Sequence, residues 1–161
     1  MPDPSDNAVE PGEASEAIGR DYFELFNEVG IIAQLSRALF EGAQADGLSL
    51  PHFSVLNHLV RLGDGKTPLA IARAFQTPKA SMTNTLAGLE ARGLIETRPN
   101  PEDGRGKLVF LTRAGNARRE TAIASTGPAL VPIVAEHDVE ARRAMVPMLA
   151  ALRVVLDRNR R

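Results

Sequence analysis

Residues 77–115, TPKASMTNTLAGLEARGLIETRPNPEDGRGKLVFLTRAG, leave the chain few options. Pro78 lacks the amide hydrogen that a first helical turn cannot use, and the Thr77 hydroxyl can cap, so a helix is predicted to start here. Met82, Leu86, Leu89 and Gly93 follow at spacings of four, three and four, which buries one narrow face. The opposite face carries Ala80, Asn84, Ala87 and Ala91, with Lys79 and Ser81 in the first turn. Small and hydrogen-bonding residues thus face outward, where another surface can come close, and the free N–H groups of a helix N-terminus favour anions. Gly93 is the predicted stop. Residues 94–98 read as a strand, PNPEDGRG is a run of turn formers, and residues 107–112 read as the returning strand. Asp103, Arg105 and Lys107 sit at the tip, so a cationic hairpin end stands at a fixed distance from the helix.

The rest of the chain is organised around that unit. Residues 1–15 are acidic and Pro-containing with almost nothing to bury, which reads as a mobile tail. Over residues 16–47, Ile18, Tyr22, Leu25, Val29, Ile32, Leu35 and Leu39 recur every three or four positions, the mark of one long amphipathic helix stopped at Gly47. Ser49 is expected to cap a second helix with Pro51 in its first turn and Phe53, Leu56, Leu59 and Val60 inward. Gly63-Asp64-Gly65-Lys66 turns the chain. Thr67-Pro68 repeats the cap-and-proline device, and Leu69, Ala72 and Phe75 should bury a third helix against the fourth. Beyond the hairpin, Thr112 can cap a helix running through Arg118, Arg119 and Ile123. Gly127, Pro128 and Pro132 should bend or interrupt it, since an interior proline removes a helix hydrogen bond and clashes with the preceding turn. Asp138 should start a last helix with Met145, Met148, Leu149, Leu152, Val155 and Leu156 along one side and a kink at Pro147. The predicted fold class is mainly α with a small β-hairpin wing. A winged helix-turn-helix domain at 48–115 is flanked by dimerisation helices at 16–47 and 116–161. The terminal helices carry more apolar face than one small domain can cover, which argues for a homodimer.

Charge sharpens this reading. The 161 residues carry a net charge of −1, but the first thirty hold eight acids against one Arg, net −7, so the remainder carries +6. A basic body is what a nucleic-acid partner requires. There is no Cys, which excludes disulfides and thiolate metal sites. His52, His58 and His137 lack the i, i+4 spacing that puts two metal ligands on one helical face, so a structural role is expected and no metal or cofactor. No Gly-x-Ser-x-Gly elbow or other catalytic frame surrounds the Ser, His and Asp residues, and Gly63-Asp64-Gly65-Lys66 is an incomplete phosphate loop. Enzymatic activity is not expected. No apolar run of about 18 residues exists to span a bilayer, and the acidic start is unlike a signal peptide, so a cytoplasmic location is expected.

At the hairpin, Asp103, Arg105, Leu111 and Thr112 fit the pattern Asp, any residue, Arg, five residues, Leu-Thr, and the segment resembles the wing signature of MarR-type transcriptional regulators. LSLPHFSVLNHL resembles that family's second helix, and TPLAIARAFQTPKASMTNTLAGLEARGLI resembles its helix-turn-helix. Departures are Asn84 and Thr97, where the family often has Arg, and Gly104 in the wing. Lys79, Ser81, Thr83 and Asn84 are residue types that reach bases or phosphates from a major groove, and Asn pairs bidentately with adenine. The resemblance implies that Arg105 enters the minor groove with Asp103 orienting it and Lys107 beside it. It further implies a homodimeric repressor on double-stranded, palindromic operator DNA, released by a small aromatic or anionic effector held among the first, second and fifth helices. Tyr22, Phe26, Asn57, His58, Arg61 and Arg119 could supply such a pocket. The rival reading is a winged-helix protein-interaction module that does not read DNA sequence.

Overall fold

The computed structural model describes residues 11–136 and 138–159, apart from the side chains of Pro11, Glu13, Ala14 and Arg105. The expected tail at 1–15 thus falls largely outside the described residues, as does His137. Eight elements follow in order: α1 (Pro11–Gly42), α2 (Leu50–Leu62), α3 (Pro68–Ala74), α4 (Lys79–Ala91), β1 (Ile95–Asn100), β2 (Asp103–Leu111), α5 (Arg113–Glu136) and α6 (Val139–Arg158). They divide into two compact units, 1–40 and 41–161. In the first, α1 starts at Pro11 rather than Glu16, and in the second it ends at Gly42 rather than near Gly47. Gly47 instead turns the following loop with a positive φ of 68°. Along α1, Ile18, Leu25, Val29, Ile32 and Leu35 are all exposed.

The second unit has a small core built by the narrow faces of α2, α3, α4 and the hairpin: Val55, Leu56, Leu59, Ile71, Ala72, Met82, Leu86, Leu89, Ile95 and Val109 are buried. Val60 and Leu69, expected inward, are exposed, and Ile71 takes the place expected for Leu69. Cap chemistry explains three of the helix starts. Thr67 Oγ1 accepts from the Ala70 N–H at 3.1 Å, Thr112 Oγ1 from Gly115 at 2.9 Å and an Asp138 oxygen from Glu140 at 2.9 Å, each satisfying an orphan donor of a first turn. Thr77 does not cap α4; Pro78 stands at the cap position and the Thr77 hydroxyl donates to Phe75 O at 3.2 Å. The reason lies in the turn before it, where Gln76 adopts a left-handed φ of 51° and Thr77 N–H returns to Ala72 O at 3.0 Å. Ser49 stands at the cap of α2 without a side-chain cap bond, because its hydroxyl pairs with His52 Nδ1 at 2.6 Å.

At the other end of α4, Gly93 takes φ 66° and donates to Glu90 O at 2.9 Å while Leu94 N–H reaches Leu89 O at 3.0 Å, so the helix closes where expected. β1 and β2 are longer than expected and pair antiparallel, with Ile95 opposite Leu111, Thr97 opposite Val109 and Pro99 opposite Lys107. The turn at Gly63-Asp64-Gly65-Lys66 adds a third edge: Gly65 N–H donates to Val109 O at 2.8 Å and Val109 N–H to Lys66 O at 2.9 Å. Of the bend or interruption expected in α5, there is no interruption: it runs as one helix through Pro128 and Pro132. Each proline costs a hydrogen bond and crowds the preceding turn, a local cost that the helix on either side carries. α6 likewise includes Pro147, and none of its described residues is buried.

A hub that sequence reading missed ties the unit together. The Asp46 carboxylate accepts from Arg118 of α5 (Nε, 2.9 Å) and from Arg92 at the end of α4 (Nη2, 3.1 Å). Arg92 Nη2 also donates to Asp46 O at 2.9 Å. Buried Gln44 completes the hub, donating to Ala122 O at 3.3 Å and accepting from Arg118 Nη2 at 3.0 Å. Hydrogen bonding from Arg118, and then its charge, the Leu48 N–H and Arg92, outweigh desolvation and hold the Asp46 carboxyl at about 2 against an ordinary 3.8. A carboxyl more acidic in the folded chain stabilises the fold above the unfolded pKa and loses that contribution as pH falls through the folded one. Asp46 is nearly half exposed, so solvent screening reduces the effect to about 1 kcal/mol. Asp46→Asn should therefore cost about that much at pH 7 and far less near pH 2. Urea unfolding at both pH values checks it.

Candidate nucleic-acid interface

α4 buries Met82, Leu86 and Leu89 and exposes Lys79, Ala80, Ser81, Thr83, Asn84, Ala87 and Ala91. The outward face is thus the one expected from spacing, free of long acidic side chains until Glu90. Within it the residues differ. Thr83 Oγ1 donates to Lys79 O at 2.9 Å, so its hydroxyl proton is engaged within the helix and its oxygen is left as an acceptor. Ser81 supplies the carbonyl that accepts from Thr85 Oγ1 at 3.1 Å. Lys79 borders an open cleft of about 890 Å³ with Arg73, Gln76 and Thr77, at the turn between α3 and α4.

The hairpin tip is shaped by a register slip. Pro99 faces Lys107 and Asn100 faces Asp103, so the ladder skips Gly104, Arg105 and Gly106 on β2. A bulge of this kind bends its strand and re-aims the side chain it carries. A Cβ on Gly106 would come within 3.0 Å of Asp103 Oδ2, so glycine there admits the Asp103 carboxylate. Asp103 and Lys107 are exposed beside the bulge, and Arg105 lies in it with its side chain outside the described residues. Sequence reading missed Arg98: its guanidinium lies 4.4 Å from the Phe110 ring centroid and pairs with Glu96, a fixed cation on one face of the wing.

The six effector-pocket candidates fall in both units. Tyr22 and Phe26 belong to the first, where their ring centroids are 5.7 Å apart on α1. In the second, Asn57 Oδ1 accepts from Arg119 Nε at 3.0 Å, which engages the Asn57 carbonyl with protein, and Arg119 also pairs with Glu120. Ser54, Asn57, His58, Arg61, Leu62 and Phe75 line a cavity of about 180 Å³. His58 packs against Phe75 with the rings tilted by 51° and their centroids 5.2 Å apart. Burial, then the charges of Lys66 and Arg61, push its imidazole below the ordinary range. A neighbouring cleft of about 620 Å³ shares His58, Arg61 and Phe75 and adds Arg153 and Asp157 of α6, which the sequence did not suggest. Among the described residues no three His, Cys, Asp or Glu side chains could hold a metal ion, and no helix is long and apolar enough to cross a membrane.

A helix-turn-helix of α3 and α4, backed by α2 and followed by a bulged hairpin with a third edge, defines a winged helix-turn-helix protein. Residues 46–106 match the MarR family. Escherichia coli MarR, the multiple antibiotic resistance protein, is 30% identical over 102 residues, 58% of this chain and 70% of that protein. The chain belongs to the MarR family. An uncharacterised HTH-type transcriptional regulator of Bacillus subtilis, YdgJ, is 34% identical over 46% of this chain, and the match spans only 45% of that protein's length. The fold is also that of a mutant E. coli MarR crystallised with operator DNA, with TM-score 0.66 and 22% identity over 82% of this chain and 95% of that one.

Proposed function

We propose that this protein is a homodimeric, sequence-specific DNA-binding transcriptional regulator that represses from a roughly palindromic operator. The observation that carries the reading is the outward face of α4, small and hydrogen-bonding, set beside a bulged basic wing tip in one compact unit. The relative solved with operator DNA makes duplex DNA the partner to test first. In this reading Lys79, Ser81, Thr83 and Asn84 meet the major groove, Asn84 by a bidentate pair with adenine, while Arg105, aided by Asp103 and Lys107, enters the minor groove. Exposed apolar residues along α1, α5 and α6 support dimerisation, which sets two recognition helices about 34 Å apart, one turn of DNA. A small aromatic anion suits the pocket near Phe75, where a ring can pack and Arg61 supplies charge beside His58. Such a ligand releases DNA only as far as it prefers one helix separation over the other.

Titration of duplexes selected by the parent protein, at several salt concentrations, tests the DNA reading. Arg105→Ala removes one cationic contact per subunit, so the slope of log affinity against log salt should shrink by about 2 per dimer. The loss should be greatest on A·T-rich flanks, whose narrow minor groove attracts Arg. Unchanged affinity and slope on every flank would leave the wing a structural hairpin only.

A further inference from the structure

Val109 turns its N–H and C=O to Lys66 and Gly65, so Thr97, opposite it, presents its own N–H to the outer edge of β1. A sheet edge of this kind needs a cover. Here Glu90, in the last turn of α4, supplies it: one carboxylate oxygen accepts from Thr97 N–H at 3.1 Å and from Thr97 Oγ1 at 2.7 Å. The same residue's carbonyl accepts from Gly93 N–H at 2.9 Å, closing the helix. Between the two ends of this bridge lies the turn Arg92-Gly93-Leu94, the place about which the hairpin could swing relative to α4. Pro99, two residues along the same edge, has no N–H to offer a competing anchor.

We propose that Glu90 and Thr97 form a clamp that fixes the angle between wing and recognition helix, making both of them positioning residues for DNA binding. The inference rests on the DNA reading above. It explains how a carboxylate can be retained on a helix that faces phosphates: its charge is spent on two donors of the wing. The sign of its effect separates positioning from simple electrostatics. Deleting an acid near a polyanion should strengthen binding by charge alone, whereas loss of the clamp weakens it.

Glu90→Ala should weaken binding to the parent's selected duplex about tenfold, the effect of about one charge-assisted hydrogen bond. Thr97→Val, which changes no charge and keeps the backbone N–H, should weaken it by about threefold. In an Arg105→Ala background the added loss from either change should fall below about twofold, because residues acting through one contact are not additive. Amide exchange in DNA-free protein should show Thr97 exchanging faster in Glu90→Ala while the α2 amides keep their protection, which a variant that merely unfolds would not do. If Arg105→Ala weakens the parent while Glu90→Ala and Thr97→Val bind as tightly as it does or more tightly, the clamp is overturned and the DNA reading stands. If the parent selects no duplex, the DNA reading fails and the clamp's role in binding fails with it.

Discussion

Gly115→Ala should lower the thermal midpoint by roughly 6–12 °C, the consequence of a cost near 3 kcal/mol in a chain of this size. One methyl group does this because of where α5 begins. A Cβ at Gly115 would fall 1.9 Å from Leu94 O and 2.9 Å from Leu111 Cδ1. Leu94 O is already engaged, accepting from Thr112 N–H at 3.2 Å, and Thr112 Oγ1 donates to Gly93 O at 2.7 Å. The end of α4, the entry to β1 and the start of α5 therefore converge on one backbone junction, and although the Leu111 side chain can turn aside, the Leu94 carbonyl is backbone and cannot. Relief requires the first turn of α5 to move away, which breaks the Thr112 cap. Circular dichroism melting of the variant beside Gly127→Ala, where a Cβ meets nothing within 4 Å, checks it. Equal midpoints for the two variants would contradict the close approach.

The second large effect concerns assembly. Met148 is 70% and Val155 53% exposed on α6, seven residues apart and so on one face. On the proposed homodimer, Met148→Glu with Val155→Glu should give a monomer, since each subunit would have to bury unpaired carboxylates. Light scattering at micromolar concentration should then give the single-chain mass of 17.3 kDa instead of twice that. Operator affinity should fall by roughly hundredfold or more, because two linked half-site contacts become independent events. The melting of the isolated second unit should change little, as no described α6 residue is buried in it. A variant that stays dimeric would place the interface elsewhere.

What the sequence disclosed, and what it did not, divides by range of interaction. The helices, the Thr67, Thr112 and Asp138 caps, the Gly93 stop and the buried face of α4 depend on residues within four positions of one another, and periodicity and cap chemistry report them. Thr77 misled because its role depends on the left-handed Gln76, a conformation that side-chain type does not announce. The prolines of α5 do not end it, because their helix-breaking tendency is a local cost that the rest of a long helix can absorb. The Asp46 hub was invisible because its partners stand 46 and 72 positions away. The same holds for Gly115, which looked like the end of a motif rather than a point of contact. For the candidate interface, the exposed face of α4 was legible from spacing, while the register slip at Gly104-Arg105-Gly106 and the bridge from Glu90 to Thr97 depend on strand pairing that sequence does not specify.

The Asp46 hub bears on how this protein opens. One carboxylate is held by a guanidinium from the end of α4 and another from α5, so opening of the 43–49 loop releases bonds to both helices, and opening of either helix releases one of them. Sub-global unfolding follows such shared contacts. α4, the 43–49 loop and the first half of α5 should therefore exchange their amide hydrogens as one cooperative block, near the slow end of the protection scale, while the exposed second half of α5 exchanges early. The helix that faces outward is then among the last parts of the second unit to loosen, and adaptation to a partner has to come from rigid movement of that block rather than from melting within it.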